Sequence, residues 1–175
     1  MKNNNVDIND ILPIFDKNNK LVGSAPRYLC HSNPVLIHRA VHVIVLDSEG
    51  RILLQKRSKN KEIQPGKWDT SVGGHLEMGE NYPVAAKREM IEEIGLSNVK
   101  LKYAYSYQHH NEQETENVKT YVCTCDGPFK PNKHEISGIK FWAVPDIKKS
   151  LGKKCFTPNF EMEFGMLLKW KKLPS

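Results

Sequence analysis

The stretch GHLEMGENYPVAAKREMIEEIGL, residues 74–96, limits what this chain can be more than any other part of it. Residues 79–82 read as a turn. Asn81 or Tyr82 can cap a helix there, and Pro83 falls in its first turn, where a missing N–H does no harm. Gly95 tolerates the left-handed conformation that closes helices, so the spacing predicts a helix ending at Gly95. At about 100° per residue, Val84, Ala86, Met90, Ile91 and Ile94 share one face, and Glu89, Glu92 and Glu93 share the opposite one. Like charges at i, i+3 and i+4 each cost roughly a few tenths of a kcal/mol. A bare surface helix gains little from that arrangement, whereas a helix that holds hard divalent cations does. Mg²⁺ takes oxygen ligands and keeps several waters, which leaves room for phosphate oxygens. Arg88, one turn before Glu92, is placed to orient a carboxylate. A solvated acidic face is the usual reading of a charge run, but Glu80, Arg88 and the two glycines in register favour the metal.

A chain of 175 residues fits one domain with a single core. No run approaches the roughly 18 apolar residues needed to span a bilayer. The start, MKNNNVDINDI, lacks the apolar centre of a secretory leader, so a cytoplasmic protein with no membrane partner is expected. The formal charge of +6 and pI near 9.1 suit a polyanionic ligand. A nucleic-acid partner is not expected, because the lysines are scattered and the aromatic residues show no base-stacking pattern. Cys30, Cys123, Cys125 and Cys155 lack zinc-site spacing and read as reduced thiols.

In chain order, residues 1–7 are expected to be disordered. The segments 8–15 and 21–23 flank the turn-rich tetrad 16–19 and predict a hairpin. Residues 27–34 read as a loop. The run 38–47 alternates with strand period and pairs back through 48–50 with 51–56. A basic loop, 57–67, leads to a short strand, 68–72, ahead of Gly73 and Gly74. Beyond the acidic helix come a strand at 100–108 and a polar loop at 109–117. Strands at 118–126 and 138–144 follow, then a short helix near 145–151. A closing helix, 160–172, buries Phe160, Phe164, Leu167 and Leu168. This order predicts one domain over 1–175, an α/β/α sandwich around a mixed β-sheet.

The motif G-x5-E-x7-R-E-U-x-E-E-x-G-U, with U aliphatic, is complete from Gly74 to Leu96, and it resembles the Nudix box. Average residue usage produces such a match on the order of once in 10⁸ starting points. The segments PIFDKNNKLVGSAPR, HRAVHVIVLDSEGRILLQKRS, PGKWDTSVGGH and FTPNF extend the likeness, over about residues 8–170, to the isopentenyl-diphosphate isomerase-like branch. The resemblance implies the Nudix-type sandwich fold. It adds the Gly74 carbonyl to Glu89, Glu92 and Glu93 as ligands of Mg²⁺ or Mn²⁺. It also matches Arg57 and Lys61 to residues that grip a diphosphate. Finally, it matches His31, His38 and His75, with Glu116, to a second metal site; hydrogen-bonding or surface histidines are the plainer alternative.

The likeness to the isomerases fails at three positions. Where an isomerase carries its catalytic cysteine, glutamate and tryptophan, this chain has Gly73, Val118 and Asn159. The box glutamates are all retained. The expectation is therefore metal-dependent hydrolysis of a small-molecule diphosphate linked to another moiety, of nucleoside diphosphate type, with Glu92, Glu93, Glu89 and Arg88 as the catalytic set. The general base stays open between Glu92 and a carboxylate of the 112–116 loop. An isopentenyl-diphosphate isomerase and a non-catalytic nucleotide-binding sensor are the alternatives. Nudix proteins commonly dimerise, which leaves a homodimer open. Tyr105, Tyr107, Phe141 and Trp142 are candidates to line a pocket, with core packing as the alternative.

Overall fold

The computed structural model describes residues 10–61 and 63–171, the side chain of Lys171 excepted. Residues 1–7 and Lys172, on which expectations were placed, lie outside these bounds. Along the chain come β1 (Ile11–Phe15), β2 (Leu21–Pro26), α1 (Arg27–Cys30), β3 (Ile37–Leu46), β4 (Ile52–Arg57) and β5 (Trp68–Asp69). After these follow β6 (Val72–His75), α2 (Tyr82–Ile94), β7 (Lys102–His110), β8 (Thr115–Thr124), β9 (Ile136–Trp142), α3 (Val144–Ser150) and α4 (Pro158–Lys171). Among the described residues no helix is long and apolar enough to cross a membrane.

The alternation read around residue 42 makes β3 the central strand. Val41, Val43 and Val45 pack on one side with Ala85, Ala86, Met90 and Ile94 of α2. Ile44 and Leu46 pack on the other with Ile147 of α3 and Phe160, Phe164 and Leu167 of α4. Strand side chains alternate between faces, so both faces of the sheet are covered and the expected α/β/α layering results. The sheet is mixed, as expected: β3 runs parallel to β8 over its whole length and antiparallel to β6 at Ala40–Val43. The hairpin β1–β2 forms around Asp16, whose Oδ1 accepts from the amides of Asn18 and Lys20.

Several expectations need correction. β3 and β4 do not run on as a hairpin; they pair only at Leu46 and Ile52. Beyond that point the buried Ser71 is wedged between them: its hydroxyl donates to Leu53 O at 2.5 Å and accepts from Val45 N at 2.8 Å. The expected strand 68–72 accordingly divides into β5, on β4, and β6, on β3. The polar segment 109–117 is mostly strand, because its residues continue the β7–β8 ladder to His110 and Thr115. Residues 27–30 form a helical turn rather than loop.

The buried stripe of α2 is also rotated from the expected one. It runs through Tyr82, Ala85, Ala86, Met90, Glu93 and Ile94, while Val84 and Ile91 are exposed. Glu89, Glu92 and Glu93 therefore do not share a solvent face. Glu93 is 6% exposed, Glu89 is half-buried and Glu92 is open.

Candidate active site

A cleft of about 770 Å³ opens where β4 leaves β3, with β6 and the carboxylate side of α2 along one wall. Its backbone is the glycine pair. Gly73 N donates to Glu93 Oε2 at 3.1 Å, and Gln55 Nε2 donates to the same oxygen at 2.9 Å. The Glu89 carboxylate lies so close over Gly74 that a Cβ there would overlap it, so the carboxylate would have to move to admit one. Burial pushes the Glu93 carboxyl up to about 8 against the Gly73 and Gln55 hydrogen bonds, and burial also raises that of Glu89. One buried and one half-buried carboxylate beside a backbone strand are a good fit to a hard divalent cation, which would favour their ionised form.

Arg88 organises this wall. Its Nε and Nη2 donate to the two oxygens of Glu80 at 2.9 Å each, and Nη1 donates to Glu89 at 2.8 Å and Glu92 at 3.1 Å. Nη2 also donates to His75 O at 2.8 Å, tying β6 to α2. The bidentate grip holds the Glu80 carboxyl below its ordinary value. The sequence pointed to Arg88 as an orienting group; that it reaches three carboxylates and a carbonyl is visible only in the fold.

The second predicted set converges as well. The nearest ligand atoms of His31, His38, His75 and Glu116 all lie within 4.8 Å of one another. His75 Nε2 is 3.0 Å from Glu116 Oε1 and 3.2 Å from His31 Nε2. The fully buried His38 has Nε2 3.4 Å from the same Glu116 oxygen, yet this nitrogen has no hydrogen-bond partner among the described residues. Burial and the neighbouring imidazoles lower His31 to about 3, and burial lowers His75. Burial works to raise Glu116, but the neighbouring His38 and the hydrogen-bonded His75 hold it well below its ordinary value. Uncharged imidazole with ionised carboxylate is the state that ligates a metal, and an orphaned, buried ring nitrogen aimed at the same point fits one.

Arg57 and Lys61 both border the cleft, but each is committed to an acid. Arg57 Nη1 is 3.2 Å from Asp69 and Lys61 Nζ is 2.8 Å from Glu135. Glu114 lies 3.7 Å from His31, and burial followed by the Glu116 charge raises it to about 7. Of the three positions that separate this chain from the isomerases, Gly73 and Asn159 line the cleft and Val118 is buried, so none offers a proton-transfer group. Phe141 and Trp142 pack against the two cores, and the Tyr105 hydroxyl donates to Glu163 O. The Tyr107 hydroxyl contacts Asn159 Oδ1 at 3.4 Å.

Sequence reasoning missed His42 and Glu163, a buried pair with Nδ1 3.0 Å from Oε2. The signal was present. Glu163 falls at a buried spacing within the stripe Phe160, Phe164, Leu167, where an isolated carboxylate needs a partner.

The NUDIX domain family matches residues 36–160. An uncharacterized Nudix hydrolase of Yersinia pestis is 33% identical over 150 residues, covering 83% of this chain and 79% of its own length. An isopentenyl-diphosphate Delta-isomerase of Streptomyces avermitilis is 30% identical over 156 residues, covering 86% and 79%. The crystal structure of DR0079 from Deinococcus radiodurans superposes with a TM-score of 0.76 at 20% identity, covering 89% of this chain and 97% of that one, and supports the fold. With the box intact and its arginine and glutamates assembled around one cleft, the chain belongs to the Nudix family as a pyrophosphohydrolase acting on phosphorus-containing acid anhydrides.

Proposed function

We propose that the substrate is a diphosphate linked to a second moiety, of nucleoside diphosphate type, and that hydrolysis depends on Mg²⁺ or Mn²⁺. The observation that carries this reading is the pair of carboxylates, the half-buried Glu89 and the buried Glu93, set against the Gly73–Gly74 backbone at the cleft. Glu89, Glu92, Glu93 and the Gly74 carbonyl would hold the cation. When bound, such a cation neutralises phosphate charge and lowers the pKa of a ligated water. Arg88 keeps Glu80, Glu89 and Glu92 in place, so little reorganisation is needed at the moment of reaction. Arg57 and Lys61, which also line the cleft, would exchange part of their pairing with Asp69 and Glu135 for phosphate oxygens. Glu92, the exposed member of the set, and the half-buried Glu114 are the candidates to accept the proton of the attacking water.

His31, His38, His75 and Glu116 are proposed as a second metal site, on the strength of the orphaned His38 nitrogen. The isomerase alternative is disfavoured because Gly73, Val118 and Asn159 carry no group able to move a proton. The test is release of phosphate or pyrophosphate from nucleotide, dinucleotide, nucleotide-sugar and prenyl diphosphates in Mg²⁺ and in Mn²⁺. Turnover of one class that falls by about 10² or more in Glu92→Gln or Glu93→Gln is expected. Full activity in both variants would refute the reading. Thermal stabilisation by a panel member without turnover would favour the sensor.

A further inference from the structure

We propose that His42 is a substrate-contacting residue whose Nε2–H donates to a phosphate oxygen of the bound diphosphate; this rests on the hydrolase reading above. The position follows from β3–β6 pairing, in which His42 stands opposite Gly73. A Cβ at Gly73 would lie 3.1 Å from His42 Cδ2 and 3.3 Å from Nε2, so the imidazole occupies the space a side chain there would need. The amide of the same Gly73 donates to Glu93, a proposed cation ligand.

The two nitrogens of His42 have different surroundings. Nδ1 is 3.0 Å from Glu163 Oε2 and 3.4 Å from the Tyr107 hydroxyl. Glu163 is fully buried, and its other oxygen accepts from Thr120 Oγ1 at 2.6 Å. Nε2 has no hydrogen-bond partner among the described residues, and His42 borders the cleft. The buried Thr70 hydroxyl, also of a residue lining the cleft, is likewise without a partner among the described residues.

Competition among the cleft's cations points to the same atom. Arg27, Arg57, Lys61 and Arg88 border the cleft, and each is paired with a carboxylate through its charged head. His42 is paired too, but through one nitrogen only, which leaves the second as an uncommitted donor. Burial works against a charge on His42, yet Glu163, aided by the more distant Glu116 and Asp69, raises it to about 9. Tyr107 is the other titratable group in contact with the ring. A buried ion pair adds little stability over a well-packed apolar pair. Its presence in the aromatic stripe of α4 is accounted for if the imidazole works at its far end.

The test uses imidodiphosphate, a non-hydrolysable diphosphate, titrated calorimetrically at fixed Mg²⁺ into the wild type and two variants. His42→Asn places an amide near Nδ1 and nothing at Nε2, whereas His42→Gln places one near Nε2. The expected dissociation constants rise about tenfold or more in His42→Asn and less in His42→Gln. A purely structural role lowers thermal midpoints and leaves affinity unchanged, and that outcome overturns the inference. Should His42→Asn fail to fold, Glu163→Gln, which keeps the contact to Thr120, is expected to weaken binding several-fold at pH 8. Unchanged affinity there overturns the inference, as does wild-type protein that binds no imidodiphosphate. Binding that depends on His42, with no turnover of any diphosphate by the wild type, would leave the inference standing and remove the hydrolase reading instead.

Discussion

Glu93 is a buried carboxylate whose proposed role in holding a cation comes at a cost to the fold. It sits on the buried stripe of α2, and its carboxylate ends against a backbone amide and Gln55 rather than a cation. Its folded value of about 8 stands above the ordinary 4.5, so the folded protein holds a proton that the unfolded chain releases between these limits. Stability from this group is thus full below pH 4.5 and is lost as pH rises through about 8. The loss is on the order of a few kcal/mol. In chelator, the stability difference between Glu93→Gln and wild type should grow in the mutant's favour from pH 5 to 9, measured by denaturant unfolding, and Mg²⁺ should restore the wild type. A difference that stays flat with pH would mean that Glu93 is not buried as described. At this scale the glutamates, Arg88 and the three histidines were legible because their spacing is fixed by a helix or by a family pattern. His42 and Glu163 were not, since their meeting depends on β3 and α4, 121 positions apart, lying face to face.

The acidic helix could be read at its ends but not around its circumference. Asn81 Oδ1 accepts from Val84 N at 3.1 Å, and Gly95, at φ 65°, closes the helix with its amide on Ile91 O. The Gly95 cap was expected, and of the two N-cap candidates, Asn81 and Tyr82, the structure selects Asn81, because caps are local chemistry. Asn81→Ala should lower stability by about 1 kcal/mol and reduce turnover little, read from unfolding midpoints beside steady-state rates. A stability loss under a few tenths of a kcal/mol would show that the cap is redundant. The buried stripe was misread because Val84 and Ile91 count as apolar in any periodicity, while the sheet beneath α2 takes Ala85 and Glu93 instead. The β3–β4 hairpin was misread for a similar reason. Turn signals at residues 47–50 are real, since Asp47 Oδ1 accepts from the amides of Glu49 and Arg51, but the long-range wedge of Ser71 decides where the strands part. That parting is what opens the cleft.

For the whole molecule, two apolar layers on either side of β3 fix α2 and α4 against one sheet, and the site lies between their polar ends. The α/β/α order was legible from strand and helix periods alone. The site's depth was not, because it comes from contacts between segments distant in sequence. A formal charge of +6 coexists with an acidic cleft wall, and an excess of cations favours anionic ligands in general. The central claim, that the α2 carboxylates hold the catalytic cation, is tested most directly by titrating Mn²⁺ into wild type, Glu93→Gln and His38→Ala. Bound ion is followed by electron paramagnetic resonance, and turnover is measured on the same samples. The account predicts that Glu93→Gln loses its tight Mn²⁺ and its turnover together, while His38→Ala loses a separate ion. A Glu93→Gln protein that binds Mn²⁺ and turns over substrate as the wild type does would contradict it.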